Sequence, residues 1–383
     1  MIMPEVKILS RLQSIDALRG LVIVIMLLDH VRETFYLNKQ VSDPMNILET
    51  EPALFGSRAL AHICAPVFVL LTGLSAYLYQ MKNTVASTRN FLFKRGLFLI
   101  LLELTLVNFA WTAKFPPDVI YLQVIWAIGI SMVVLALCVG LPRKALLAVG
   151  LLIIFGHNLL DQITFRGIPA LEQIWFVLHE RGWIESTAVR IRTSYPVLPW
   201  FGVIFVGYAL GYFFESRFSA VARQRYLLVL GMISIALFLG LRSINIYGDQ
   251  PWVQYDSWGM TAMSFFNLTK YPPSLFFILW NIGLGLILLV ALEHLSHFKG
   301  FKPLVIFGSV PMFFYILHLY VLKLLYVMGI ELFGPNQGDY FSVDSVSALW
   351  LITVFLIILL YPVVAWFSRY KHQNKHIAWL KYF

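Results

Sequence analysis

The sequence predicts an all-α fold: a polytopic transmembrane helix bundle of about ten spans, forming one domain over residues 1–383. Three observations predict it. The chain is 59% hydrophobic and only 13% charged, with a mean hydropathy of +0.76, too little polar surface for a soluble domain of 383 residues. Apolar runs close to the roughly 20 residues a bilayer requires recur along almost the whole chain, whereas a secretory signal would be one short run ahead of soluble sequence. The arginines and lysines collect in alternate connections between those runs, as cytoplasmic loops do.

Taken in order, the spans are placed at 15–37, 58–80, 90–112, 118–140, 143–160, 197–215, 223–243, 272–296, 302–329 and 345–369; the fifth is the shortest. With the N-terminus inside, the inner stretches hold Lys7 and Arg11; Lys82, Arg89, Lys94 and Arg95; Arg143 and Lys144; Arg217, Arg223 and Arg225; Lys299 and Lys302; and Arg369, Lys371, Lys375 and Lys381. Every inner stretch is basic, so both termini are expected in the cytoplasm. The two longest connections, 161–196 and 244–271, then lie outside as caps.

The net charge of +9 is mostly this inner rim and needs no nucleic acid to explain it. The rim also suits an anionic leaflet or a phosphate-bearing substrate. Cys64 and Cys138 both sit in apolar runs, which argues for core filling and against a disulfide framework. No Gly-rich phosphate loop, His-Glu-x-x-His, cysteine pair at metal spacing or GxSxG is present, so no metal is expected. "GYALG" (Gly207, Gly211) gives a small-xxx-small spacing suited to close helix packing, and "NLT" at 267–269 fits a glycosylation triplet only by pattern.

The ionisable residues inside the spans carry the chemistry. "LRGLVIVIMLLDHVRE" (18–33) opens on Arg19 and closes on Asp29, His30 and Arg32. Arg19 and His30 are 11 residues apart, three turns plus about 20°, which puts them on one helix face about 16 Å apart along the axis. His62 and His318 fall in the same outer half of the membrane as His30, so three spans offer imidazole at similar depth. Ionisable groups in spans are costly and tend to face the bundle interior or a wet cavity. Pro66, Pro311 and Pro362 are expected to break their helices and free the carbonyls of His62, Phe307 and Ile358. Glu103, Asn108 and Asn281 are the other polar groups at depth, with Glu103 expected to pair inside the bundle. Asp29 points about 100° away from His30, towards the wall or the loop.

An arginine and a histidine so spaced at the end of the first of about ten helices resemble the signature of integral-membrane acyltransferases. The blocks "SIDALRG", "HICAPVFVLLTGLSAYL", "YPVLPWFGVIFVGYALG", "KYPPSL" and "VPMFFYILHLY", in order from about residue 11 to 369, resemble bacterial membrane proteins grouped with the catalytic domain of heparan-alpha-glucosaminide N-acetyltransferase. The resemblance implies a bacterial inner-membrane enzyme that moves acetyl from cytoplasmic acetyl-CoA to an extracytoplasmic sugar, amino sugar or cell-envelope glycan, with a histidine at its site. Arg19, His30 and His318 match the arginine and histidines of its motifs. There is one departure: the animal enzyme has asparagine at the position of His30 and its histidine in the loop that follows, while residues 38–57 here hold none.

Within that frame His30 is the expected base for an attacking amine or hydroxyl, since histidine titrates near neutral pH. His62 or His318 would orient it or bind the sugar. Arg11, Arg19, Arg89 and Arg95, with Lys94, would meet the phosphates of acyl-CoA from the cytoplasmic side. A carrier or flippase for a lipid-linked sugar is the alternative, since polar residues and kinked helices at mid-membrane also describe transport sites.

Overall fold

The structure is a computed structural model that describes residues 4–185 and 189–382, with side chains from Gln13 onward except at 378 and 381. Its helices run in the order α1 (Pro4–Phe35), α2 (Pro52–Ala61), α3 (Cys64–Gln80), α4 (Val85–Leu102), a π-helical turn (Glu103–Val107), α5 (Asn108–Thr112), α6 (Val124–Cys138) and α7 (Arg143–Gly156). There follow α8 (Pro169–Leu178), α9 (Leu198–Leu210), α10 (Ala220–Ile244), α11 (Trp258–Phe265), α12 (Leu275–His294), α13 (Phe301–Ser309), α14 (Pro311–Phe333) and α15 (Val346–Gln373). Side-chain oxygens start several of them: Thr84, Ser219 and Ser345 each accept from the backbone N–H three residues on, which satisfies one of the donors a helix N-terminus leaves open.

The chain is therefore the all-α membrane bundle its composition predicts, and helix stands at each of the ten predicted spans. Among the described residues, six helical stretches are long and apolar enough to cross a membrane: Pro52–Gln80, Arg143–Leu160, Ala220–Ile244, Leu275–His297, Pro311–Phe333 and Val346–Gln373. The apolar helices at 124–138 and 198–214 are shorter. Three details differ from expectation. The second span is two helices divided at His62 and Ile63, and the ninth is two helices divided at Val310. Pro66 and Pro311 do not cause these breaks from inside a helix; they sit in the first turns of α3 and α14, where a missing N–H has no intrahelical partner to lose. The carbonyl of Phe307, expected to be freed, accepts from Val310 N–H at 3.4 Å. Only Pro362 lies inside its helix.

The chain packs as two compact units, Met1–Cys64 with Ile287–Phe383, and Ala65–Leu286. In the first, α1 packs on α13, α14, α15 and α2. The approach of α1 to α13 is extreme: a Cβ on Gly20 would stand 1.8 Å from the carbonyl oxygen of Leu304, and one on Gly308 would stand 1.7 Å from that of Asp16. The thiol of Cys64 donates to the carbonyl of Val22 at 3.1 Å, so one of the two cysteines is indeed core filler.

The second unit repeats the device. Gly73 of α3 and Gly207 of α9 face one another's helices, with virtual Cβ positions 2.1 and 2.2 Å from the carbonyls of Ile204 and Leu70, so the "GYALG" spacing does mark close packing. The connection predicted as a loop over 161–196 contains α8 and two strands, β2 (Trp183–Ile184) and β3 (Arg190–Thr193). With β1 (Val119–Leu122), which takes the first residues of the predicted fourth span, they form a sheet in the order β1-β3-β2, parallel then antiparallel. Asn108 pins β1 by donating to Val119 O at 3.0 Å and accepting from Tyr121 N–H at 3.1 Å. Glu103 pairs not with a cation but with the start of α6, accepting from Trp126 N–H at 3.0 Å.

The 244–271 connection is tied down by Arg242. Its buried guanidinium donates to four backbone carbonyls, Phe265, Gln250, Ser264 and Asn267, at 2.7–3.3 Å. Nearby, Asp249 accepts from Thr269 and Ser274; burial pushes its carboxyl above the usual range, and those two hydroxyls and Arg242 pull it back. Arg242→Met is expected to strand the four acceptors and cost at least about 3 kcal/mol, since charged hydrogen bonds contribute roughly 1.5–3 kcal/mol each. Limited proteolysis should then cut selectively within 245–270; a wild-type cleavage pattern would contradict this.

Candidate functional site

The site forms where α1 and α14 meet. His30 comes one residue after Asp29 near the end of α1, and His318 lies two turns into α14, which Pro311 starts cleanly. The Nδ1 of His30 is 2.7 Å from the Nε2 of His318, with the rings stacked at 19° and centroids 5.0 Å apart. His318 Nδ1 in turn lies 2.7 Å from the carbonyl of Phe314, one helical turn back. Both imidazoles are buried. A carbonyl can only accept, so His318 Nδ1 carries the proton there. In the neutral ring its Nε2 is then an acceptor, and the proton in the 2.7 Å contact belongs to His30 Nδ1. The chain of bonds therefore fixes one tautomer of His30, with the lone pair on Nε2. Tyr315 packs edge-on against both rings, at 5.7 and 5.6 Å between centroids.

Asp29, expected to face the wall or the loop, is instead the centre of a buried charge cluster. Arg58 of α2 donates from Nη1 to both its oxygens at 3.0 and 2.9 Å, and Arg32 donates from Nε and Nη2 at 3.1 and 2.9 Å. Glu33 accepts from Arg32 at 3.1 Å, so two arginines meet two carboxylates. This cluster fastens α2 to the turn of α1 that bears His30. Arg58→Ala leaves Asp29 with one of its two cations in a desolvated place, and is expected to destabilise by about 3–5 kcal/mol. Thermal unfolding in detergent checks it, and an unchanged midpoint would show the pair to be idle.

The other residues singled out in the sequence are not drawn into this pair. His62 is buried at the end of α2, its N–H donating to Ala59 O at 3.2 Å at the α2–α3 division. Arg19 lies midway along α1, about three turns before His30, and pairs with Asp16 at 2.9 Å. The backbone of Arg11 continues α1, but its side chain falls outside the described residues. Arg89 and Arg95 belong to α4 in the second unit; Arg89 is exposed, and Arg95 is half-buried with its guanidinium 6.0 Å over the ring of Phe91. Among the described residues no group of three or more His, Cys, Asp or Glu could hold a metal ion.

Arg58 and Tyr315 were missed. Arg58 opens the second predicted span, and the three-residue spacing of Asp29 and Arg32 signals a pair that a further cation could complete. Tyr315 stands three residues before His318, on the same face of a helix, a spacing that predicts their contact.

Fold and site together define a polytopic membrane protein that holds a tautomer-locked imidazole pair inside its helices. The family model for the catalytic region of heparan-alpha-glucosaminide N-acetyltransferase matches residues 11–251, and the chain belongs to that family. Its function is accordingly of the membrane acetyltransferase type. No curated protein matches the chain. The matched stretch includes Arg11, Arg19, His30, His62, Arg89 and Arg95, whereas His318 and its block lie beyond it.

Proposed function

We propose that the protein transfers an acetyl or other acyl group from cytoplasmic acyl-CoA to the amine or hydroxyl of an extracytoplasmic sugar or amino sugar, as an integral protein of a bacterial inner membrane with both termini in the cytoplasm. The observation that carries this reading is the His30–His318 pair. His30 Nε2 takes the proton of the attacking amine or hydroxyl while the nucleophile forms its bond to the thioester carbonyl carbon. The tetrahedral species then collapses, the carbon–sulfur bond breaks, and the thiolate of CoA leaves and recovers a proton. His318 acts through His30, holding its Nδ1 proton and ring orientation; His62 belongs to the acceptor side. Arg19, about 16 Å along α1, stands where the phosphate-bearing end of the donor would lie, a separation comparable to an extended pantetheine arm.

The test is transfer of labelled acetyl from acetyl-CoA by the purified protein in lipid, against a panel of amino sugars and cell-envelope glycans. Label in an alkali-stable product identifies N-transfer, and alkali-labile label O-transfer. A protein that moves lipid-linked sugar across vesicles while leaving the thioester untouched would be a carrier, and the reading would fall.

A further inference from the structure

The sheet that β1 forms with β2 and β3 has two unlike faces. Its register sets Trp183 of β2 and Tyr121 of β1 on either side of Arg192 of β3, one row across three strands. Arg190, two residues back, shares that face, whereas apolar residues such as Leu122 and Ile191 take the other. The ring of Trp183 carries both guanidiniums, 4.3 Å from Arg190 and 5.0 Å from Arg192. Glu185 neutralises Arg190, accepting from its Nε at 3.1 and 3.2 Å. Arg192 is left unmatched. Among the described residues neither it nor the exposed Arg181, held 4.9 Å over the ring of Tyr271, has a carboxylate within ion-pairing distance. Partial burial, and after it the charge of Arg181, draw the Arg192 guanidinium below its ordinary range. The helix ahead of β2 is exposed in a different way. No residue of α8 is buried, and Ile168, Leu171 and Ile174, at helical spacing, are 52%, 43% and 55% exposed. They follow closely in sequence on Leu152 and Leu159, which stand out from the span that contains α7 and so face lipid. One residue, Gln123, separates β1 from α6, so the sheet stands where the predicted fourth span begins.

We propose that Arg181 and Arg192 bind the phosphate of an anionic membrane lipid, with the apolar row of α8 seated at the acyl boundary beneath the headgroups. Cations, tryptophan and tyrosine next to a short helix with an exposed apolar row make up an interfacial anchor: the apolar side enters the acyl boundary and the charges stay with the headgroups. A headgroup phosphate supplies to Arg192 the charge that Glu185 supplies to Arg190, and a guanidinium fork fits its oxygens. Charge alone would also suit a soluble anionic glycan. That ligand would leave Ile168, Leu171 and Ile174 in water, whereas lipid covers them together with the outward side of α7. The connection over 161–196 then lies on the membrane surface and is held there by both halves of a lipid molecule.

The experiment is amide hydrogen exchange over 161–196 in the full chain, in nanodiscs of phosphatidylcholine with and without phosphatidylglycerol. In the wild type, phosphatidylglycerol should slow exchange of α8 and β3 by about tenfold, the scale expected of two arginines at an anionic surface. Arg181→Gln with Arg192→Gln should abolish that difference between the two lipids. Arg181→Gln alone, at an exposed position that the fold does not need, should remove a large part of it. Leu171→Asp with Ile174→Asp should speed exchange of α8 in both lipids. Exchange that is indifferent to phosphatidylglycerol in the wild type, or a lipid difference that survives in the double arginine variant, overturns the proposal. So does a soluble oligogalacturonate that slows exchange in neutral discs as strongly as phosphatidylglycerol does, because the arginines would then belong to a glycan.

Discussion

His30→Ala lowers kcat/KM for acyl transfer by about 10²–10⁴, the usual contribution of a positioned general base, with CoA affinity nearly unchanged. The expectation follows from the proton bookkeeping of the pair. With His318 Nδ1 bound to Phe314 O and His30 Nδ1 bound to His318 Nε2, the basic lone pair of the dyad sits on His30 Nε2. Removing His30 removes that lone pair, which matters in the transition state and adds little to donor binding. His318→Leu acts differently: it leaves the base but deprives His30 Nδ1 of its acceptor. An unmade buried hydrogen bond costs roughly 1–3 kcal/mol, about one to two powers of ten in rate. The loss should fall on kcat, and His318→Gln, whose carbonyl can accept the same proton, should recover part of it. A folded His30→Ala protein with full activity would end the base assignment. A His318→Leu protein with altered KM alone would move His318 from positioning to acceptor binding.

Gly20→Leu should yield no folded protein. The Cβ alone would stand 1.8 Å from the carbonyl oxygen of Leu304, and α13 is held on the other side by the reciprocal contact of Gly308 with Asp16 O. The atoms met are backbone, which no rotamer change can move, so α1 and α13 must separate by well over an ångström along their shared face. Overpacking in a core costs about 1–3 kcal/mol when side chains can yield; with backbone on both sides the cost should exceed about 4 kcal/mol. Gly20→Ala suffers the same clash. Gly56→Ala and Gly240→Ala are the controls: each lies inside a helix with nothing within 4 Å of the added carbon, so helix propensity should make them neutral or stabilising by up to about 1 kcal/mol. Size-exclusion profiles of the four detergent-extracted proteins decide the matter, and a monodisperse Gly20→Leu peak would refute the packing argument.

The helices were legible because apolar length is a strong local signal, and the arginine and histidines were legible because a charge inside such a run is costly. The breaks were read less well. Proline marks a place where a helix cannot run through, but whether it ends one helix or begins the next depends on where the first turn falls, and Pro66 and Pro311 begin theirs. The small sheet went unread because its strands have two to four residues and β3, "RIRT", has too little apolar character to stand out. "GYALG" was recognised as a packing motif, yet Gly20, which meets the backbone of α13, was hidden in "LRG", since its partner Leu304 is 284 residues away. The pairing of His30 with His318 was invisible for the same reason: each residue announced itself by depth, and no local pattern specifies which of three imidazoles bond one another.

The first packing unit draws on both ends of the chain, and that has a consequence in time. During synthesis, Asp29 and Arg58 are only 29 positions apart and can close their charge cluster early, whereas His30 must wait for a partner made 288 residues later. At about 5–20 residues per second this is roughly a quarter of a minute to a minute. Over that interval the nascent helix carries an imidazole with no His318 to choose its tautomer. A ribosome product stopped before residue 318, including one that spans all of 11–251, would carry Arg19 and His30 without the contact that sets the tautomer of His30. Premature termination would thus leave a membrane helix whose imidazole has no fixed tautomer, and co-expressing such a fragment with the missing C-terminal helices is expected to restore the pair.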